Sequence, residues 1–209
     1  MSAYRIAVFA SGEGSNFQAL AEAATAGTLG GAEIALLVCD KPAAPVVQRA
    51  ERLGIPAFIF KPKDYESREA YEREIVRRLE ELQVDLIVLA GYMRLLTPVI
   101  VQQYAGRLIN IHPSLLPAFP GKDAIGQALA YGVKLSGVTV HFVDEGMDTG
   151  PIIAQRALEV TSGANAESFA NAVHEVEREL YPEVVSWFAR GWVTLDGRHV
   201  TVAGAHGQK

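Results

Sequence analysis

Five short, almost continuously apolar runs alternate with segments of helical period through the first half of the chain. They are Arg5–Ala10 (RIAVFA), Glu33–Cys39 (EIALLVC), Ala57–Phe60 (AFIF), Leu86–Ala90 (LIVLA) and Arg107–His112 (RLINIH). A strand with one wet face alternates apolar and polar side chains, whereas a run apolar at nearly every position is covered on both faces. Between the runs lie Asn16–Ala26, Pro45–Leu53 and Ser67–Leu82. In the last, Tyr71, Ile75, Leu79 and Leu82 are spaced to form one apolar stripe along a helix. Strands joined by helices of this length make βαβ units with right-handed crossovers. The expected fold is therefore α/β, a doubly wound and mostly parallel sheet.

The second half is less regular. Gly126–Tyr131 reads as a short helix, and Gly137–Val143 and Ile152–Val160 as two more strands. A long helix begins at about Ala166, with Phe169, Val173, Val176 and Leu180 on its apolar side, and Pro182 is predicted to kink or break it before Trp187. The tail WVTLDGRHVTV alternates on both sides of Asp196-Gly197. That is a hairpin signal, and it predicts an antiparallel addition over residues 191–203.

Neither a repeat nor a linker interrupts the chain, and 209 residues with 49% hydrophobic content can build one core. The expected organisation is a single domain over 1–209. Acids and bases are interspersed around a net charge of −5, which offers no electrostatic footprint for nucleic acid. No apolar run approaches the roughly 18 residues of a membrane helix. Cys39 stands alone, so neither an intramolecular disulfide nor a thiolate metal cage is available. The N-terminus reaches glycine too early for a signal peptide. Cytoplasmic localisation is the expectation.

After the first run comes Ser11-Gly12-Glu13-Gly14-Ser15-Asn16 and then a helix. Glycines let a backbone approach an anion, and the N–H groups of a helix start supply donors and partial positive charge. Ser15 or Asn16 can act as N-cap or as a polar donor. Phe17 stands where a dinucleotide fingerprint has its third glycine, and no Gly-Lys-Ser/Thr follows. Two readings stay open: a cradle for a lone phosphate, or a tight βα turn that needs glycine for its backbone.

The fifth run ends on Asn110 and His112, which share one strand face while Ile109 and Ile111 share the other. In an open parallel sheet the carboxyl ends of the strands line the ligand crevice. An amide beside an imidazole suits carbonyl chemistry, since Asn donates to a developing oxyanion and His shuttles a proton at neutral pH. A hydrogen-bonded core His with an Asn closing the loop fits the same residues. A second polar end follows in TVHFVDEGMDTGP (139–151), where Thr139 and His141 share a face and Asp144, Glu145 and Asp148 come next. Asp148 beside His112 would favour the imidazolium and fix the ring; an Asx-type turn before Gly-Pro is the alternative. Two histidines and an aspartate could also hold a metal, but they lack the spacing that makes such a signal specific, and no metal is expected. Gly-x-Ser-x-Gly is absent, and Cys39 has no base near it in sequence.

Taken together, SGEGSN (11–16), AGYMRLL (90–96), NIHPSLLP (110–117) and VDEGMDTGP (143–151) resemble the folate-dependent phosphoribosylglycinamide formyltransferase family. The resemblance runs from about residue 4 to Trp187 and implies a Rossmann-like formyltransferase fold. It implies transfer of a formyl group from 10-formyltetrahydrofolate, the co-substrate, to the amine of 5′-phosphoribosylglycinamide in purine biosynthesis. Small molecules are then the partners of a monomer or homodimer, with neither nucleic acid nor membrane involved.

Carried over by position, Asn110, His112 and Asp148 match the catalytic trio. Gly14, Ser15 and Asn16 match the phosphate cradle, and His174 and Glu177 the rest of the ribonucleotide side. Arg68, Met93, Arg94, Leu95, Leu96 and Asn110 match the folate site, which Asp144, Glu145, Gly146, Met147 and Asp148 close. The halves divide accordingly, with ribonucleotide binding over about 1–100 and catalysis and folate binding over about 101–190. Many members carry a histidine pair where this chain has Lys122-Asp123-Ala124-Ile125, a departure at one substrate contact. Formyltetrahydrofolate deformylases resemble this chain plus an N-terminal regulatory domain, for which a first strand at Arg5 leaves no room. Methionyl-tRNA formyltransferases carry a further C-terminal RNA-binding domain. A non-catalytic folate or nucleotide sensor has no need of the Asn/His/Asp set.

Overall fold

The computed structural model describes residues 3–204 except 162 and 164; the two ends of the expected 1–209 domain lie outside the described residues. In chain order come β1 (Tyr4–Phe9), α1 (Ser15–Thr25), β2 (Ala32–Cys39), α2 (Pro45–Arg52), β3 (Ala57–Ile59), α3 (Arg68–Glu81), β4 (Leu86–Leu89), α4 (Pro98–Gln103) and β5 (Leu108–His112). They are followed by α5 (Ala124–Tyr131), β6 (Leu135–Phe142), β7 (Ile152–Glu159), α6 (Ala166–Ala189), β8 (Val193–Asp196) and β9 (His199–Val202). Seven strands form one sheet in the order β3-β2-β1-β4-β5-β6-β7. The first five pair in parallel, while β6 runs antiparallel to β5 and β7 antiparallel to β6. The hairpin β8–β9 is a separate antiparallel ribbon. This is the doubly wound, mostly parallel sheet with an antiparallel addition that the apolar runs predict.

Alternate residues of the central strands feed two cores. Ile6 and Val8 of β1, Leu86 and Val88 of β4, and Ile109 and Ile111 of β5 pack with Phe17 and Leu20 of α1 and Leu180, Tyr181, Val184 and Val185 of α6. Ala7, Phe9, Ile87, Leu89 and Leu108 pack on the other face with Tyr71, Ile75 and Leu79 of α3 and Ile100 and Val101 of α4. The second face changes character along β5. Leu108 is apolar, but Asn110 and His112 beyond it are polar, and their cross-strand neighbours on β6 are His141 and Thr139. There the sheet presents polar groups to two loops, His112 meeting the Phe119 carbonyl of one and Asp148 of the other.

Two differences from the sequence expectation have physical causes. Helix α6 continues from Ala166 to Ala189 with Pro182 inside it, so the predicted break is absent. An interior proline costs roughly 3 kcal/mol. Leu180, Tyr181, Val184 and Val185 are all at most 2% exposed on either side of it, and burial of such side chains contributes roughly 1.5–3 kcal/mol each. Packing therefore wins. Helix α4 has no counterpart among the helices read from the sequence, although Thr97-Pro98 marks its start: the Thr97 hydroxyl accepts from Val99 N, and Pro98 occupies the first turn.

Candidate active site

At the carboxyl end of β5, Asn110 and His112 meet His141 and Asp148. The Nδ2 of Asn110 lies 3.3 Å from Nε2 of His141, whose Nδ1 is 2.7 Å from the Phe142 carbonyl. A carbonyl only accepts, so the His141 proton sits on Nδ1, and Nε2 is left to accept from the Asn110 amide. Burial pushes the pKa of His141 down, against the opposing pull of that carbonyl and of Asp148. A neutral His141 thus holds the Asn110 amide in one orientation.

His112 is only 5% exposed. Its Nε2 lies 2.8 Å from the Phe119 carbonyl and its Nδ1 lies 3.5 Å from Asp148 Oδ2. Both ring nitrogens face oxygen acceptors, an arrangement that the doubly protonated ring satisfies. Asp148 reaches the site from the 143–151 loop with φ of 54°, its Oδ2 accepting from Gly121 N at 2.7 Å and its Oδ1 3.7 Å from His141 Nε2. The left-handed region is costly for a residue with a side chain and is held by its surroundings. Asn110, His112 and Asp148 therefore converge, although Asp148 is 36 residues from His112 in sequence. Thr139, fully buried opposite His112, ties the 113–121 loop down: Oγ1 accepts from Leu116 N at 3.0 Å and donates to the Ser114 carbonyl at 2.7 Å.

The glycine turn differs in detail from its sequence reading. Gly14 itself is the N-cap of α1, and neither Ser15 nor Asn16 caps the helix, because Ser15 is already its first residue. Gly14 has φ of 74°, and a Cβ there would stand 2.5 Å from Val46 Cγ2. Its glycine is needed for both backbone and space. Asn16 is buried and donates from Nδ2 to Glu177 Oε2 at 3.2 Å, and its own Oδ1 has no partner. Burial raises the pKa of Glu177 from 4.5 to about 7, with the Asn16 bond pulling the other way. His174, one helical turn away, is exposed, and partial desolvation followed by Arg178 lowers its pKa.

The stretch 91–97 forms an arch fastened at both ends by buried carboxylates. Asp40 accepts from Ser11 Oγ at 2.5 Å and from Arg94 Nε at 2.8 Å, and Ser11 Oγ in turn accepts from Met93 N at 3.0 Å. At the far end Glu72 accepts from Thr97 N and from its hydroxyl. Between the two fastenings Met93 and Leu95 project with 73% and 61% exposure, and Leu96 packs inward. The Arg94 guanidinium is thus committed to Asp40. Arg68, at the start of α3, is exposed. Asp144, Glu145, Gly146 and Met147 lie exposed on the loop before Asp148.

Depressions of about 350 Å³ between α3, α4 and β4 and about 410 Å³ between α1 and α6 border none of Asn110, His112 and Asp148. Among the described residues no group of three His, Cys, Asp or Glu side chains could hold a metal ion, and no helix is long and apolar enough to cross a membrane.

Residues 4–185 match the formyl transferase family. This chain belongs to it. A phosphoribosylglycinamide formyltransferase of Bacillus subtilis is 53% identical over 181 residues, covering 87% of this chain and 92% of the relative. Its Escherichia coli counterpart is 39% identical over 204 residues, covering 98% and 94%. The crystal structure of glycinamide ribonucleotide transformylase 1 from Geobacillus kaustophilus superposes on this formyltransferase with a TM-score of 0.88 at 56% identity, covering 90% of this chain and all of that one.

Three site residues of this formyltransferase escaped the sequence reading. The sequence puts His141 on a face with Thr139 and among scattered metal candidates, but its bond to Asn110 depends on β5–β6 register. Asp40 follows the β2 run directly, which places a carboxylate at a strand's carboxyl end. Glu72 sits beside the apolar stripe of α3 and carries no periodic signal.

Proposed function

We propose that this chain transfers the formyl group of 10-formyltetrahydrofolate to the amine of 5′-phosphoribosylglycinamide, a step of purine biosynthesis, without a metal. The observation that carries the reading is the convergence of Asn110, His112 and Asp148 on one polar sheet face. Relatives named for this reaction, matched over nearly their whole length, support it. The enzyme works in the cytoplasm as a monomer or homodimer.

In the proposed step the substrate amine attacks the formyl carbon, and the carbonyl π electrons move to oxygen. The Asn110 amide and protonated His112 stabilise that oxyanion. For this the formyl oxygen takes the place of the Phe119 carbonyl as acceptor of the His112 Nε2 proton. Asp148 holds the charged ring. The amine proton passes to the folate nitrogen, the bond from that nitrogen to carbon breaks, and the formyl group stays on the new amide with no covalent enzyme intermediate. The N-terminal turn of α1, Gly14–Asn16, receives the ribonucleotide phosphate, and His174 and Glu177 receive the rest of that substrate. The Met93–Leu96 arch, with Met93 and Leu95 exposed, takes the folate together with Arg68, and Asp144–Asp148 close over it.

The test is folate absorbance with purified protein and 10-formyltetrahydrofolate, with and without phosphoribosylglycinamide. Deformylation that requires the ribonucleotide is the expected result. Deformylation without it would make the enzyme a hydrolase, and none in either case would leave a binding module. In the same assay His112→Ala and Asp148→Ala each lose about 10²–10⁴-fold in kcat, while calorimetry finds ribonucleotide affinity within about twofold of wild type. Near-wild-type turnover in either variant rejects the assigned roles.

A further inference from the structure

We propose that Arg198, at the turn of the C-terminal hairpin, is a positioning residue that holds the 143–151 loop and so sets where Asp148 stands. The kinetic part of this rests on the reading under Proposed function. Arg198 Nη1 donates to the Thr149 carbonyl at 2.9 Å, one peptide unit after Asp148. The family match ends at residue 185, so this contact comes from a segment beyond the matched residues.

The hairpin is mounted firmly enough to serve as an anchor. Trp192 N donates to the Trp187 carbonyl and Gly191 N to that of Phe188, so the ribbon grows directly out of the end of α6. Val193 and Val200 pack on the larger core. Ala203 N closes the base of the ribbon on the Trp192 carbonyl at 2.8 Å, and the Arg190 guanidinium lies 4.9 Å over the Trp192 ring.

The loop needs such an anchor. At its base, Phe142 N donates to the Pro151 carbonyl at 2.9 Å, and a Cβ at Gly150 would fall 1.8 Å from the Phe142 oxygen. Inside it, Asp144 Oδ1 accepts from Thr149 Oγ1 at 2.7 Å and from Gly146 N at 3.1 Å. Asp148 stands between these fastenings in a strained backbone conformation. Its 3.5 Å separation from His112 Nδ1 is at the outer limit of a hydrogen bond, where the interaction weakens steeply with distance. Small displacements of the Thr149 peptide therefore decide whether the carboxylate engages the ring. Arg198 fixes that peptide from outside the loop.

Two measurements on Arg198→Met, which keeps the aliphatic stem, decide the matter. Amide hydrogen exchange of the ligand-free protein should rise by about three- to tenfold across 144–150 and stay unchanged in the β1–β5 sheet. In steady-state assays the KM for 10-formyltetrahydrofolate should rise, and kcat fall, by about three- to tenfold. The KM for the ribonucleotide should stay within about twofold and Tm within about 2 °C, because the contact is solvent-exposed. Arg198→Lys, which keeps a donor, should recover most of both losses. Unchanged exchange in 144–150 overturns the proposal whatever the kinetics, and so does raised exchange with wild-type kinetics. A wild-type protein without ribonucleotide-dependent deformylation would reject the functional reading alone, since the exchange measurement does not depend on turnover.

Discussion

At Glu177 burial and charge pull against each other, and the consequence is a pH-dependent stability. The carboxyl is 7% exposed, and its pKa is raised from 4.5 to about 7, with desolvation the dominant cause. A folded-state pKa above the unfolded one contributes stability that is fully present below pH 4.5 and lost as pH rises through about 7. The difference corresponds to roughly 3 kcal/mol. Glu177→Gln should therefore flatten this decline: thermal unfolding at about pH 5 and about pH 8 should show a smaller fall in Tm for the variant than for wild type. An equal fall in both would place the titration elsewhere. The same buried carboxylate fixes Asn16, so the variant should also bind the ribonucleotide less tightly. Helical period alone gives His174 and Glu177 no functional role; the family resemblance is what singles them out. The contact of Glu177 with Asn16 was not legible in the sequence, because 161 residues separate Asn16 from its partner.

Elements carry the site because their ends are built for it. Helix α1 starts at a glycine whose backbone and neighbour both forbid a side chain, with Val46 of α2 packed against it. Gly14→Ala adds left-handed strain of about 1 kcal/mol and a clash with Val46 costing about 1–3 kcal/mol, so denaturant unfolding should register a loss of about 2–4 kcal/mol. Ribonucleotide binding should weaken more than folate binding, since the turn moves and the 91–97 arch does not. Equal weakening of both would detach the phosphate site from this turn. Most element positions were legible from apolar periodicity, as in the α3 stripe, where Tyr71, Ile75 and Leu79 are all essentially buried. Pro182 does not break α6, because the local rule about backbone bonding is outweighed where the flanking side chains are core residues. Helix α4 leaves no periodic signal in the sequence because its six residues are too few to show one.

At the scale of the whole molecule, Tyr181 helps to join the two halves of the fold. The hydroxyl of Tyr181, fully buried on α6, lies 2.8 Å from the Leu89 carbonyl of β4 and 3.2 Å from the Ile109 carbonyl of β5. Tyr181→Phe leaves these carbonyls without that donor at a cost of about 1–3 kcal/mol. Differential scanning should find Tm lower by roughly 3–8 °C, with kcat within about threefold of wild type because the proposed catalytic side chains Asn110 and His112 lie on the opposite face of β5. An unchanged Tm would mean that the hydroxyl contributes nothing to joining β4 and β5. The sequence by itself determined the α/β class, the central strands covered on both faces, the hairpin at Asp196-Gly197 and the face shared by Asn110 and His112. Each depends on spacing within one segment, where backbone geometry dictates which side chains point together. The apolar run of β3 misleads, because as the edge strand it leaves Ala57 and Ile59 exposed. Only the tertiary structure decided that Asp148 meets His112, that His141 orients Asn110, that Asp40 and Glu72 fasten the 91–97 arch and that Arg198 reaches Thr149. These contacts join residues brought together by sheet order and loop path, and no local period encodes a meeting between distant segments.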